Sequence, residues 1–152
     1  PVILDEFKYE FFGLEVESPY MLLTRNLDEK FLVKLKNSQK YNGLDRVNQI
    51  RSNFPGITHI DNSCRVQTVD NNRNSRFYSL LKAFYNLTNC PILINTSFNV
   101  RGEPIVCTPE DALICFLNTE IDYLILENIM ISKGNINEKI INHFPKPKTI
   151  DD

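Results

Sequence analysis

Residues 91–109 read PILINTSFNVRGEPIVCTP, and the fold turns on how that stretch is understood. An apolar run, Pro91 to Ile94, breaks at once into Asn95, Thr96, Ser97, Asn99, Arg101 and Gly102. That is the pattern of a buried strand delivering hydroxyls, amides and one cation to the lip of a sheet. Short polar side chains beside an arginine and a glycine suit phosphate or carboxylate oxygens. A hydrophobic core needs none of them. The plain alternative is that they only stabilise a turn.

Working outward, residues 75–87 form the clearest helix. Phe77, Leu80, Leu81, Phe84 and Tyr85 recur at helical spacing, and Asn89 and Pro91 close the segment. Downstream, Thr108 is an N-cap, Pro109 the first helical residue and Asp111 the third after the cap. Residues 122–126 and 129–132 are expected to finish the sheet as strands. Upstream, Asp5 to Phe12 reads as a short helix stopped by Gly13, and residues 20–23 as a strand entered through Ser18-Pro19. Residues 25–54 suggest one or two helices with a polar connection at Asn42-Gly43. Residues 58–61 and 65–69 read as short strands joined through Asn62-Ser63. Strands alternating with helices predict an α/β or α+β layered fold. In such sheets ligands sit beyond the carboxyl ends of strands, where Asn95 to Arg101 falls. Residues 134–152, rich in asparagine, lysine and proline, predict a weakly ordered tail.

With 152 residues, 42% of them hydrophobic, the chain suits one globular domain. Its 17 basic and 19 acidic residues leave a net charge of −2 without long runs of either sign. That balance argues against broad electrostatic capture of nucleic acid or an anionic membrane. No apolar stretch approaches the roughly 20 residues a bilayer span requires, and no signal peptide is visible, so a soluble cytoplasmic protein is expected. Cys64, Cys90, Cys107 and Cys115 form no CxxC pair and are expected to be reduced and structural. The chain opens at Pro1 without a methionine, as an excised piece of a longer protein would.

Ser97 has no histidine or acid nearby in sequence, and GxSxG is absent. A hydrogen bond to a phosphate oxygen therefore fits it better than a role as activated nucleophile. Arg65 and Gln67 alternate with Val66 and Thr68 on a strand. They are either a solvated face or, turned toward the Ser97 loop, an anion clamp. His59 reads as a satisfied histidine at a strand end, with Glu103 and Asp111 as turn and cap residues. No metal-ligand set is visible.

The segments SPYM (18–21), THID (58–61), RVQTVD (65–70), INTSFNVRGEPIVCTPEDAL (94–113) and IDYLILEN (121–128) together resemble the C-terminal part of one family. It is the carbamoyltransferases, which include nodulation-factor and tobramycin O-carbamoyltransferases, and the likeness runs from residue 1 to about 133. It implies a YrdC-like domain over residues 1–133, a twisted mixed α/β sheet with flanking helices. Ser97-Phe98-Asn99-Val100-Arg101-Gly102 resembles that fold's serine-x-asparagine-x-x-glycine element, which contacts nucleotide phosphate. Arg65 resembles a strand arginine aimed at the same phosphates, and Ser18-Pro19-Tyr20 a loop lining the nucleotide side. By this resemblance Arg65 and Ser97 are the catalytic candidates. Ser18, Tyr20, Gln67, Thr68, Asn95, Thr96, Asn99, Arg101 and Gly102 are the nucleotide-contacting ones. Arg65, Ser97 and Asn99 are expected to converge.

The resemblance further implies that carbamoyl phosphate and ATP are the ligands and carbamoyl-adenylate the product. A separate N-terminal domain of the actin-like ATPase superfamily, which carries the metal, would pass the carbamoyl group to a hydroxyl. That domain is expected outside these residues, with a basic segment immediately upstream whose last residue Pro1 resembles. Asn62-Ser63-Cys64 departs from the family's usual glycine, threonine and alanine. Two rival expectations remain: a non-catalytic nucleotide- or RNA-binding module, as YrdC-like folds also occur in tRNA-modifying proteins, and a piece that only buttresses its transfer domain. The near-neutral charge weighs against RNA.

Overall fold

Three consecutive apolar residues, Val2–Leu4, form strand β1, and all three are fully buried because β1 is an inner strand. β2 (Leu23–Asn26), β3 (Ser63–Val69) and β4 (Ile92–Leu93) complete a four-stranded sheet in the order β2-β3-β1-β4. β1 runs parallel to β3, and the other two pairings are antiparallel. The computed structural model describes residues 1–34 and 47–136. It divides into two units, residues 1–95 and residues from 96 onward, each described by itself below.

In the first unit, Val2 lies beside Gln67 and Leu93, and Ile3 beside Thr68 and Ile92. Side chains alternate across a sheet, so that register sorts them into two cores. Ile3, Cys64, Val66 and Ile92 face Phe11, Phe12, Leu14, Leu27 and Ile57. There Phe31 stacks on Phe11 with ring centroids 4.3 Å apart, and Phe54 meets both rings edge-on. Val2, Leu4 and Val69 face the other way, onto helix α2 (Ser75–Thr88), which seals them with Leu81, Phe77, Tyr78 and Tyr85. Burying each such aliphatic side chain stabilises the fold by about 1.5–3 kcal/mol.

The Asn74 side chain accepts from the Phe77 amide to start α2, and Asn89, with φ 57°, ends it in the left-handed region. The packed face is rotated from the expected one. Leu80 is 56% exposed, while Tyr78 lies against the core and its hydroxyl donates to Glu6. Lys82 reaches the same Glu6 carboxylate at 3.2 Å, and these polar anchors fix the helix's rotation. The expected first helix is a 3-10 turn, Asp5–Phe7, running into α1 (Lys8–Phe12), with Gly13 at φ 56° closing it.

Three expectations need correction. The strand expected at 20–23 begins only at Leu23, because residues 18–21 turn: the Met21 amide donates to Ser18 O at 3.4 Å and Met21 has φ 57°. Residues 58–61 are likewise not a strand. The Asn62 amide donates to His59 O, the His59 amide to Ser63 O, and Asn62 takes φ 66°, so the chain turns and β3 begins at Ser63. In the 25–54 stretch the described residues show no α-helix: they hold the end of β2, a 3-10 turn, Glu29–Phe31, and a bridge between Leu32 and Ser52. Asn42-Gly43 lies outside the described residues.

The second unit packs α3 (Pro109–Leu117) against a hairpin, β5 (Tyr123–Leu126) and β6 (Ile129–Ser132). This hairpin forms a sheet of its own and does not finish the four-stranded one. Its inner face, Leu124, Leu126 and Ile131, packs on Ala112 and Phe116 of α3, with Phe98 and Val106. α3 opens with a full capping box. Thr108 Oγ1 accepts from the Asp111 amide, and the Asp111 carboxylate accepts from the Thr108 amide. After a 3-10 turn at Lys133–Asn135, Ile136 still packs on this core, and residues 137–152 lie outside the described residues. The mixed sheet with its helices is an α+β fold, as expected. Among the described residues no helix is long and apolar enough to cross a membrane. All four cysteines are free; Cys64 and Cys115 are buried, and Cys107 is exposed.

Candidate functional site

β3 alternates as the sequence demands. Cys64, Val66 and Thr68 turn inward, leaving Arg65 exposed and Gln67 half-buried on the opposite face. Arg65 lies opposite Thr24 of β2, itself exposed, and makes no ion pair among the described residues. The same register sets Asn95, two residues past Leu93, on the face that carries Gln67 and at the end of the sheet that carries Arg65. Arg65, Gln67 and Asn95 therefore share one corner of the sheet.

The SPYM turn is stapled to this corner. The Ser18 amide donates to Thr68 Oγ1 at 2.9 Å, the Thr68 amide returns a bond to Ser18 O at 2.9 Å, and Ser18 Oγ donates to Val66 O at 2.8 Å. Ser18 and Thr68 are buried, with the Thr68 hydroxyl bonded to the Ser18 amide and the Ser18 hydroxyl to Val66 O, which makes them the turn's anchors. What the turn presents is Tyr20, 78% exposed. Gln67 adds the last tie, with Nε2 donating to Pro19 O at 3.0 Å and Oε1 accepting from Asn95 Nδ2 at 2.7 Å.

Beside it lies a cleft of about 200 Å³ lined by Pro19, Tyr20, Gln67, Asp70, Arg73 and Phe77, among others. Neither Asp70 nor Arg73 is expected as a site residue from the sequence, and Phe77 is expected on the apolar face of a helix. The signal available was the Asn74 cap, which puts the residues just before it at a helix mouth. Arg73 is already neutralised: it pairs with Glu17, and with Asp70 at 3.6 Å.

At the turn leading into β3, His59 Nδ1 lies 2.9 Å from Ser63 Oγ, and the Asp61 carboxylate accepts from the Ser63 amide at 3.0 Å. Hydrogen bonds from the Ser63 side chain and backbone hold Asp61 below the usual aspartate range. Burial pushes the Cys64 thiol up, which keeps it protonated and inert. Among the described residues no three His, Cys, Asp or Glu side chains group as metal ligands.

In the second unit, Thr96, Ser97, Arg101 and Gly102 are exposed, and Asn99 is half-buried. Asn99 Nδ2 donates to Val100 O at 3.3 Å and to Glu103 O at 2.9 Å. The Glu103 amide closes back on Val100 O at 3.1 Å, and the Val106 amide on Phe98 O at 3.1 Å. The loop is thus rigid from within, and Gly102 supplies the φ of 87° that its bend requires. Arg101 does not pair with Glu103, so its guanidinium is uncommitted among the described residues. Arg65 belongs to the first unit and Ser97, Asn99 and Arg101 to the second.

Among the described residues Arg65 of the first unit and Arg101 of the second have no carboxylate partner, and Thr96 and Ser97 are exposed hydroxyls. Residues 1–133 match the family described as Carbamoyltransferase C-terminus. An uncharacterized protein of Synechocystis sp. is 50% identical over 88% of this chain and 22% of its own length. The nodulation protein NolNO of Sinorhizobium fredii is 35% identical over 88% of this chain and 17% of its own. The 3'-hydroxymethylcephem-O-carbamoyltransferase of Amycolatopsis lactamdurans is 30% identical over 68% of this chain and 16% of its own. The chain therefore spans less than a quarter of the length of these relatives. With the match running through the Arg65 strand, the Ser97 loop and the α3 cap alike, this chain belongs to the carbamoyltransferase C-terminal family.

Proposed function

We propose that this chain is the carbamoyl-activating part of an ATP-dependent O-carbamoyltransferase. It binds carbamoyl phosphate and ATP and forms carbamoyl-adenylate, which an actin-like N-terminal domain of the same parent protein uses to carbamoylate a hydroxyl. The observation that carries this reading is the set of exposed, uncommitted donors on matched family segments: Arg65 on β3, and Thr96, Ser97 and Arg101 on the loop. The chemistry asks for such a set. Hydrolysis of carbamoyl phosphate gives carbamate and phosphate; a carbamate oxygen then attacks the α-phosphorus of ATP, and pyrophosphate leaves. Several phosphate oxygens must come close together in that step, and fixed cations and hydroxyls that face them without rearranging lower its barrier. Holding the two reactants in place supplies much of the rest. Tyr20, beside the cleft at the head of α2, is suited to lie against the nucleotide base.

Titration of the protein with ATP and with carbamoyl phosphate, followed by backbone amide shifts, tests the reading. Changes are expected at residues 65–68 and 96–102 together. A tRNA gel shift with no response to either small ligand would replace this reading with the RNA-binding one.

A further inference from the structure

Asparagine and glutamine have two chemically different ends, and a hydrogen-bond network fixes which end points where. Pro19 O can only accept, so the Gln67 atom 3.0 Å away must be Nε2. The Gln67 oxygen is then turned to Asn95, and it too can only accept. Asn95 must therefore present Nδ2 to it, across 2.7 Å. What this chain of amides leaves facing solvent is the Asn95 carbonyl oxygen with the remaining N–H beside it. Asn95 is exposed, and its Oδ1 accepts no hydrogen bond among the described residues. The direction of the whole relay is set by one backbone carbonyl, in the turn that Ser18 and Thr68 staple to β3.

An outward carbonyl oxygen repels a phosphate oxygen and attracts an N–H. A side-chain amide of this kind pairs best with a group carrying an N–H donor next to an acceptor. We infer that Asn95 is a specificity residue that recognises an amino group beside an acceptor on the ligand, and that Gln67 is the positioning residue that fixes its orientation. This rests on the functional reading above and divides its labour: Arg65, on the same sheet corner, takes anionic oxygens, and Asn95 takes the uncharged amide-like edge. Two sources of that chemistry fit, the carbamoyl group (N–H beside C=O) and the adenine edge (exocyclic amine beside a ring nitrogen).

The test compares two pairs of probes, one of each lacking that donor: carbamoyl phosphate against acetyl phosphate, and AMP against purine riboside 5'-monophosphate. Affinities are measured by calorimetry or amide shifts on the protein, on Asn95→Ala and on Gln67→Leu. The unsubstituted protein is expected to favour the amino-bearing member of one pair by about tenfold, and the pair that discriminates identifies the source. Both variants should lose that preference, while affinity for acetyl phosphate or purine riboside 5'-monophosphate stays within about twofold. A merely structural role would weaken both members of a pair alike. Should Gln67→Leu not fold, the exposed Asn95→Ala decides the matter alone. Equal binding within both pairs, or a preference that survives Asn95→Ala, overturns the inference and leaves the functional reading standing. A preference lost in Asn95→Ala but kept in Gln67→Leu removes Gln67 from the positioning role. Failure of all four probes to bind brings down both.

Discussion

Arg65 and Arg101 carry full charges into solvent without a carboxylate partner among the described residues, while Arg73 has two. On the proposed reading Arg65 and Arg101 are the binding cations, and that sets the first two predictions. Arg65→Ala should leave the melting temperature unchanged, since no contact is lost, but weaken ATP binding at least tenfold, as loss of a charge-assisted bond does. A matching fall in melting temperature would make Arg65 structural. Arg101→Lys keeps the charge and loses the planar fork. Pyrophosphate release by the full-length parent should drop while its melting temperature holds, and unaltered kinetics would assign Arg101 to the solvated surface. Residue identities at this scale were legible in the sequence because chemistry follows residue type. What could not be read was commitment. Nothing in the string shows that Ser18 and Thr68 spend their side chains on holding the turn to β3, or that Asn99 donates both its contacts to its own loop.

Among the elements, α3 was legible to the residue because its signals are local: threonine cap, proline first, aspartate third. Thr108→Ala should destabilise the second unit by about 1 kcal/mol, read from its denaturation midpoint. The Thr108 side chain and the Cys107 and Thr108 amides hold Asp111 below its ordinary value of 3.8. A carboxylate lowered in the folded state stabilises fully above its unfolded pKa and loses that contribution as pH falls through the folded one. The second unit should therefore lose stability on acidification below about pH 4, and Asp111→Asn should flatten that part of the profile. A profile unchanged by Asp111→Asn would show that other carboxylates set it. The turns at 18–21 and 58–61 were misread as strands for the opposite reason. Tyr-Met-Leu and Thr-His-Ile have strand-like composition, and the local bonds and ties to β3 that bend them act through the left-handed Met21 and Asn62, which composition does not announce. The β5–β6 hairpin was recognised as strands, but the sequence does not say which sheet a strand joins.

Taken whole, the molecule keeps separate cores, and a cavity in one need not be felt in the other. Leu81→Ala empties the core under α2 and should cost about 2–5 kcal/mol. Hydrogen exchange should show lost protection in β1, β3 and α2, with the amides of α3 and the hairpin unaffected. Equal loss everywhere would mean that the two units unfold as one. The hydrophobic pattern announced that such cores exist, through the α2 face and the apolar run at 92–93. It could not announce that residues 2–4 lie at the sheet's centre, because three apolar residues carry no address. That placement bears on time as well as on shape. β1 finds its partners only when Gln67 to Val69 and then Ile92 and Leu93 arrive beside it. Phe7, Phe11 and Phe12 can cover its faces early, but its edges are paired only after two long loops have closed, and chains with such distant pairings fold slowly. Until then a strand of valine, isoleucine and leucine stands open on both edges, a template for pairing with another chain.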